Sequence, residues 1–228
     1  MTSEICMNIA DVHERMRHAE LAAGKTPNSV RLIAVTKGQS IETIRAAYDL
    51  GLREFGENYL SEAIEKRNGL RDLKDIVWHF IGPIQSNKAR QIAENFDWVH
   101  SVDRAKVACR LDQYRPDHLP PLQVCIQVNI SGEQTKSGVN PSELSNLVDA
   151  VGDLKGLILR GLMTIPAPHQ EEGLEQGMPF RILREMMEHL EPQLDTLSMG
   201  MSHDFESAIL EGATMVRIGT LLFGARHR

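Results

Sequence analysis

Apolar residues fall along the chain in short runs, each followed by a longer stretch whose apolar positions recur at helical spacing. Eight such runs can be read: Arg31 to Val35, Arg53 to Phe55, Val77 to Ile81, Trp98 to Val102, Leu122 to Val128, Leu157 to Met163, Thr196 to Met199, and Met215 to Ile218. They predict strands. An amphipathic helix from Ile5 to Ala23 precedes them, and start signals open the intervening helices: Ser40, Ser86-Asn87, Asp103 and Asn140-Pro141. Strands alternating with helices imply parallel pairing, because a parallel connection needs a crossover. Eight units close a (β/α)8 barrel, so the expected fold is α/β, one TIM-type barrel domain over residues 1–228 with an extra N-terminal helix. The last run is followed by Leu221 to Arg228, too short for a full eighth helix, and the opening helix is expected to cover that gap. An open doubly wound sheet is the alternative, but Val35-Thr36-Lys37-Gly38 is not the Gly-rich turn such sheets carry after the first strand. Pro166 to Met178 reads as a mobile loop on the ligand face.

Composition narrows the functional classes. The 228 residues are 42% apolar, enough for a core that needs no metal or disulfide. A net charge of -6, with both signs scattered, argues against nucleic acid or anionic lipid as main partner. No basic leader or long apolar span is present, so secretion and membrane spanning are disfavoured. Cys6, Cys109 and Cys125 have no CxxC spacing and read as reduced thiols of a cytoplasmic protein. The histidines show no metal-ligand spacing, and nucleophile-elbow and P-loop motifs are missing.

In a barrel, chemistry sits at the carboxyl ends of the strands. Those ends read Lys37, Gly56-Glu57-Asn58, Gly82-Pro83, Asp103, Asn129, Met163-Thr164, Gly200-Met201-Ser202, and Arg217 with Gly219-Thr220, a polar and glycine-rich rim. Lys37 is either a solvated or paired lysine or a Schiff-base amine. An amine with a pKa near 10.4 is only about 0.04% neutral at pH 7, so the second role needs burial or a nearby cation such as Arg217. The glycines, the Ser202 and Thr220 hydroxyls and helix-start N–H groups after the last two strands suit a phosphate, although Ser202 also reads as a helix cap. Arg217, inside an apolar strand, is an ion-pair or ligand residue. Asn58 is a turn residue or a site residue, and His79 reads first as a core histidine.

Together, Ala34-Val35-Thr36-Lys37, Phe55-Gly56-Glu57-Asn58-Tyr59, Trp78-His79-Phe80-Ile81-Gly82-Pro83 with Ile84-Gln85-Ser86-Asn87-Lys88, Gly161-Leu162-Met163, Leu197-Ser198-Met199-Gly200-Met201-Ser202 and Val216-Arg217-Ile218-Gly219-Thr220 resemble the pyridoxal 5′-phosphate homeostasis protein family nearly end to end. The resemblance implies a barrel like the cofactor domain of alanine racemases. By motif it makes Lys37 the Schiff-base lysine, and Ser202, Gly219, Thr220 and the backbone near Met201 the phosphate cradle. Arg217 would face the pyridine nitrogen, Asn58 would lie beside the ring, and His79 is a further pocket candidate. The family is regarded as binding and buffering the cofactor, with no established turnover.

A racemase needs two positioned acid-base groups, and in racemase-like relatives the second is a tyrosine from another domain and a dimer partner. Here Tyr48, Tyr59 and Tyr114 fall on predicted helices. Arginine at the ring nitrogen also weakens the cofactor as an electron sink. The sequence therefore predicts a monomeric carrier or buffer that meets cofactor-free dependent enzymes transiently. A weak amino-acid racemase and a class I aldolase for sugar phosphates are the alternatives.

Overall fold

Residues 2–133, 137–166, 177–191 and 193–224 are described by a computed structural model. Every apolar run forms a strand whose residues are largely buried on both faces, as parallel strands covered by helices must be. In chain order the elements are α1 (Thr2–Ala22), β1 (Arg31–Val35), α2 (Ile41–Asp49), β2 (Glu54–Glu57), α3 (Leu60–Gly69), β3 (Val77–Phe80), α4 (Ala89–Asn95), β4 (Trp98–Val102) and α5 (Ala105–Tyr114). They continue with β5 (Leu122–Gln127), α6 (Leu144–Gly152), β6 (Leu157–Met163), α7 (Met178–Glu188), β7 (Thr196–Ser198), α8 (Phe205–Leu210), β8 (Met215–Ile218) and α9 (Thr220–Phe223). Each strand pairs in parallel with the next, and β8 pairs with β1, so the eight strands close a (β/α)8 barrel.

The eighth outer helix, α9, has four residues. The predicted N-terminal helix does cover the gap: α1 packs on α8 and α9, burying Ile5, Ile9, Val12, Met16 and Ala19 at helical spacing. Polar contacts fix its angle. Asn8 donates to Leu222 O at 3.1 Å, Arg15 pairs with Glu206 at 2.8 Å, and the buried Glu20 carboxylate accepts the N–H groups of Asn28 and Val30.

Boundaries depart from the sequence reading in two informative places. Strand β2 begins one residue later than Arg53 and runs on through Gly56-Glu57, because both pair with β3. Glu57 is thus a buried strand residue rather than part of the rim. Asp103 does not cap α5; Arg104 holds that position and pairs with Asp103. Of the loop read from Pro166 to Met178, residues 167–176 lie outside the described residues.

Inside the barrel, Ile33, Trp98, Cys125, Met163 and Met215 form an apolar plug separate from the larger core between strands and helices. The polar residues His79, His100, Ser198 and Arg217 are buried on these strands as well.

Candidate functional site

The two-residue period of β1 carries forward from Ile33, which lines the interior, to place Lys37 at the barrel mouth. The backbone on both sides of this half-buried lysine is pinned. Lys66 Nζ, on α3, donates to Thr36 O at 2.5 Å, Glu57 Oε1 at 2.7 Å and Glu62 Oε1 at 2.5 Å. Glu62 Oε1 also accepts the Gly38 N–H at 2.5 Å, and Thr36 Oγ1 donates to Glu57 Oε1. Gly38 has φ 74°, the left-handed conformation that favours glycine. Burial pushes the Glu57 carboxyl above its usual range, opposed by Lys66 and the Thr36 hydroxyl.

The ends of β7 and β8 stand beside that lysine on the rim, since β7 pairs with β8 and β8 with β1. After β7, Gly200 adopts φ 91°, and a Cβ there would lie 2.6 Å from Ala208 Cβ, so the turn closes tightly onto α8. The Met201 N–H donates to Asp204 Oδ1 at 2.6 Å, which commits that donor within the turn. Asp204 is the N-cap residue of α8, leaving the half-buried Ser202 in the turn ahead of it. After β8, a Cβ on Gly219 would lie 3.2 Å from Val35 O, and the exposed Thr220 opens α9. Lys37, Ser202 and Gly219-Thr220 therefore hang on three consecutive strands at one mouth.

Asn58 follows β2 on the same rim, and its Oδ1 is buried without a hydrogen-bond partner. Beside it opens a cleft of about 670 Å³ lined by Tyr59, Phe80, Ile84, Lys88 and Arg104 among others. Tyr48 and Tyr114 lie on α2 and α5, but Tyr59 differs from the sequence reading: it precedes α3 as its cap residue and is 58% exposed.

Arg217 is 3% exposed, donating to Ser198 Oγ at 2.6 Å and to Thr164 O at 2.9 Å. Burial pushes its pKa down to about 10, against the attraction of Asp204, so the guanidinium stays charged at neutral pH. His79 lies in β3 with both ring nitrogens engaged: Nδ1 is 2.9 Å from His100 Nε2, and Nε2 is 2.5 Å from Glu54 Oε2. Its register partner on β2 is Gly56, two residues before Asn58, so the histidine sits deeper than the rim. His100 Nδ1 in turn lies 2.7 Å from Ser198 Oγ.

Sequence reading placed Thr164 on the rim but did not single out Ser198, His100, Glu54 or Lys66. For His100 and Ser198 a signal existed: each is a polar residue at an interior position of an apolar strand. Lys66 gave none, because a lysine on a helix reads as solvated. No group of three or more His, Cys, Asp or Glu suited to a metal occurs among the described residues, and none of their helices is long and apolar enough to cross a membrane.

A single barrel with an amine and a glycine-rich turn at one mouth defines the class: residues 10–227 match the family described as alanine racemase, N-terminal domain. The pyridoxal phosphate homeostasis protein of Pseudomonas aeruginosa is 57% identical over 224 residues, covering 98% of this chain and 96% of its own. The chain belongs to the pyridoxal phosphate homeostasis proteins within that family. The structure of PipY from Synechococcus elongatus with PLP bound superposes with a TM-score of 0.83 at 39% identity, covering 96% of this chain and all of that one. Alanine racemase of Corynebacterium glutamicum shares the fold at a TM-score of 0.69 and 18% identity, covering 99% of this chain and 61% of that one.

Proposed function

We propose that this protein binds pyridoxal 5′-phosphate covalently and acts as a carrier or buffer for it. The observation that carries the reading is the contiguity of Lys37, the Ser202 turn and Gly219-Thr220 on the ends of β1, β7 and β8. The residues fit the group. Gly219 and Gly200 hold their turns close to neighbouring chain, first-turn N–H groups of a helix lack intrahelical acceptors, and Asn58 Oδ1 is buried on the rim without a hydrogen-bond partner.

When bound, the cofactor supplies an aldehyde carbon that an amine can attack. Lys37 would be the residue that holds it, as a Schiff base whose condensation releases one water. Ser202, Gly219 and Thr220 would hold the phosphate, and Arg217 would present a cation to the pyridine nitrogen, disfavouring its protonation. Asn58 lines the ring's side. Because Met201 spends its N–H on Asp204, the Ser202 hydroxyl is the stronger donor of that turn. His79 supports the site from below instead of touching the ligand.

Addition of pyridoxal phosphate should give an absorption band at roughly 420 nm, the Schiff-base chromophore. Borohydride should then fix the added mass on the peptide carrying Lys37. A Lys37→Ala protein that keeps the band would overturn the assignment. As a monomeric carrier it would hand the cofactor to dependent enzymes in transient contact, and faster activation of a cofactor-free enzyme in one pot than across a dialysis membrane supports direct transfer. A second reading, weak amino-acid racemization, draws on Tyr59, whose hydroxyl-bearing ring lines the cleft beside Asn58. Deuterium entering the α-carbon of alanine with the wild-type protein but not with Tyr59→Phe would favour it.

A further inference from the structure

Beneath the rim, buried polar groups run from one end of the barrel to the other, and cofactor binding as described above uses none but the last. Glu54 opens β2 at the amino-terminal end, paired with Arg31 at 2.6 Å. Its Oε2 meets His79, which meets His100, which meets Ser198 Oγ, which accepts from Arg217. His79, His100 and Ser198 are fully buried.

We propose that these five side chains form a one-way hydrogen-bond wire that orients Arg217 from the far end of the barrel. Glu54, His79, His100 and Ser198 are then positioning residues for whatever Arg217 faces. The chemistry of the two ends fixes the direction. A guanidinium can only donate, and an ionised carboxylate can only accept. Burial alone would raise the Glu54 carboxyl, but His79 and Arg31 outweigh it and hold it below its usual value. Between these ends stand two imidazoles, both pushed toward the neutral form by burial, so each carries one N–H.

One arrangement satisfies every contact. His79 Nε2–H donates to Glu54, which leaves its Nδ1 to accept from His100 Nε2–H. His100 Nδ1 must then accept the Ser198 hydroxyl proton, and Ser198 Oγ is left to accept from Arg217. A second proton on His100 would turn its Nδ1 into a donor and strand the serine hydroxyl. Besides Glu54, the charges that act on these rings are Arg31 on β1, Asp97 before β4 and Arg217 on β8. Trp98 stacks on His79 at 5.8 Å and 18°, holding the ring plane.

With one edge tied to Ser198 and another to Thr164 O, Arg217 has little freedom to rotate away from the mouth. The carboxylate that attracts it directly is Asp204, and Glu54 stands at the far end of the wire. Influence on the cofactor rests on the proposed binding mode; the wire does not.

The test has two arms on the full-length chain. The first reads ring 15N shifts of His79 and His100 at pH 7, before any cofactor is added. Both rings neutral and protonated on Nε2 is the expected result. A proton on Nδ1 of either ring, or on both nitrogens, overturns the wire. The second arm follows the absorption band with pH after loading with pyridoxal phosphate. Glu54→Gln, which does not touch Lys37, should move its midpoint by about half a pH unit, on the order of losing one charge across a protein interior, and Ser198→Ala, which cuts the link to Arg217, should move it in the same sense. Ser198→Thr, which restores the hydroxyl, should move it back. Asp195→Asn removes a charge at the same end of the barrel from an ion pair outside the wire, and should leave the midpoint in place. Equal midpoints in all variants, or an equal shift in Asp195→Asn, would overturn the coupling to Arg217. A loaded protein with no band refutes the Lys37 assignment, while the ring shifts still decide the wire.

Discussion

Lys66 is as important to the candidate site as Lys37, and it is reached by asking what holds the mouth lysine's backbone. Its ammonium is saturated by Thr36 O, Glu57 and Glu62, two of which bind directly to the residues flanking Lys37. Replacing it by methionine leaves the Glu57 carboxylate buried without its partner, a loss of about 3–5 kcal/mol by the usual behaviour of such pairs. Urea unfolding of Lys66→Met should show that loss, and Lys66→Met with Glu57→Leu should recover part of it, because the stranded charge is gone. Chain distance explains what sequence reading reached. Lys37 and Arg217 were legible as charged residues in or after apolar runs. The joining of the interior polar residues was not, since His100 and Ser198 meet from positions 98 residues apart and become neighbours only when the barrel closes.

Among the elements, the strands were the most legible. The bounds of β1, β4, β6 and β8 agree with the apolar runs, because residues buried on both faces leave a continuous apolar signature. β2 was longer than its run, since a glycine and a glutamate in a ladder look the same in sequence as a turn. The opening helix shows a dependence that no pattern reveals: Glu20 on α1 fixes the turn into β1 by accepting two N–H groups. Glu20→Ala leaves both without that acceptor and should cost about 3 kcal/mol, given the typical worth of hydrogen bonds to a charged group. Thermal unfolding checks this, and Glu20→Gln, which keeps an acceptor oxygen, should lose less.

At the scale of the molecule, the interior polar row ties stability to pH. His79 and His100 are neutral in the fold because burial lowers their affinity for protons, whereas in the unfolded chain they titrate near 6.5. Below that value the unfolded state binds more protons than the folded one, so stability falls as the solution is acidified. Each histidine contributes a slope of at most about 1.4 kcal/mol per pH unit in that window. Unfolding free energies measured from pH 7.5 to 5.0 should decline accordingly, and His100→Gln should flatten the decline. A rising stability toward pH 5 would contradict the assignment of neutral rings.

The placement of α1 also has a bearing on how the protein is made. This helix leaves the ribosome before every strand, yet its main landing surfaces, α8 and α9, follow only after the first seven strands. Until then its apolar stripe has little native cover beyond α2, and β1 waits equally long for β8. Such long-range closure delays folding, so a nascent chain stalled before β8 should remain open to proteases and chaperones at both of its ends.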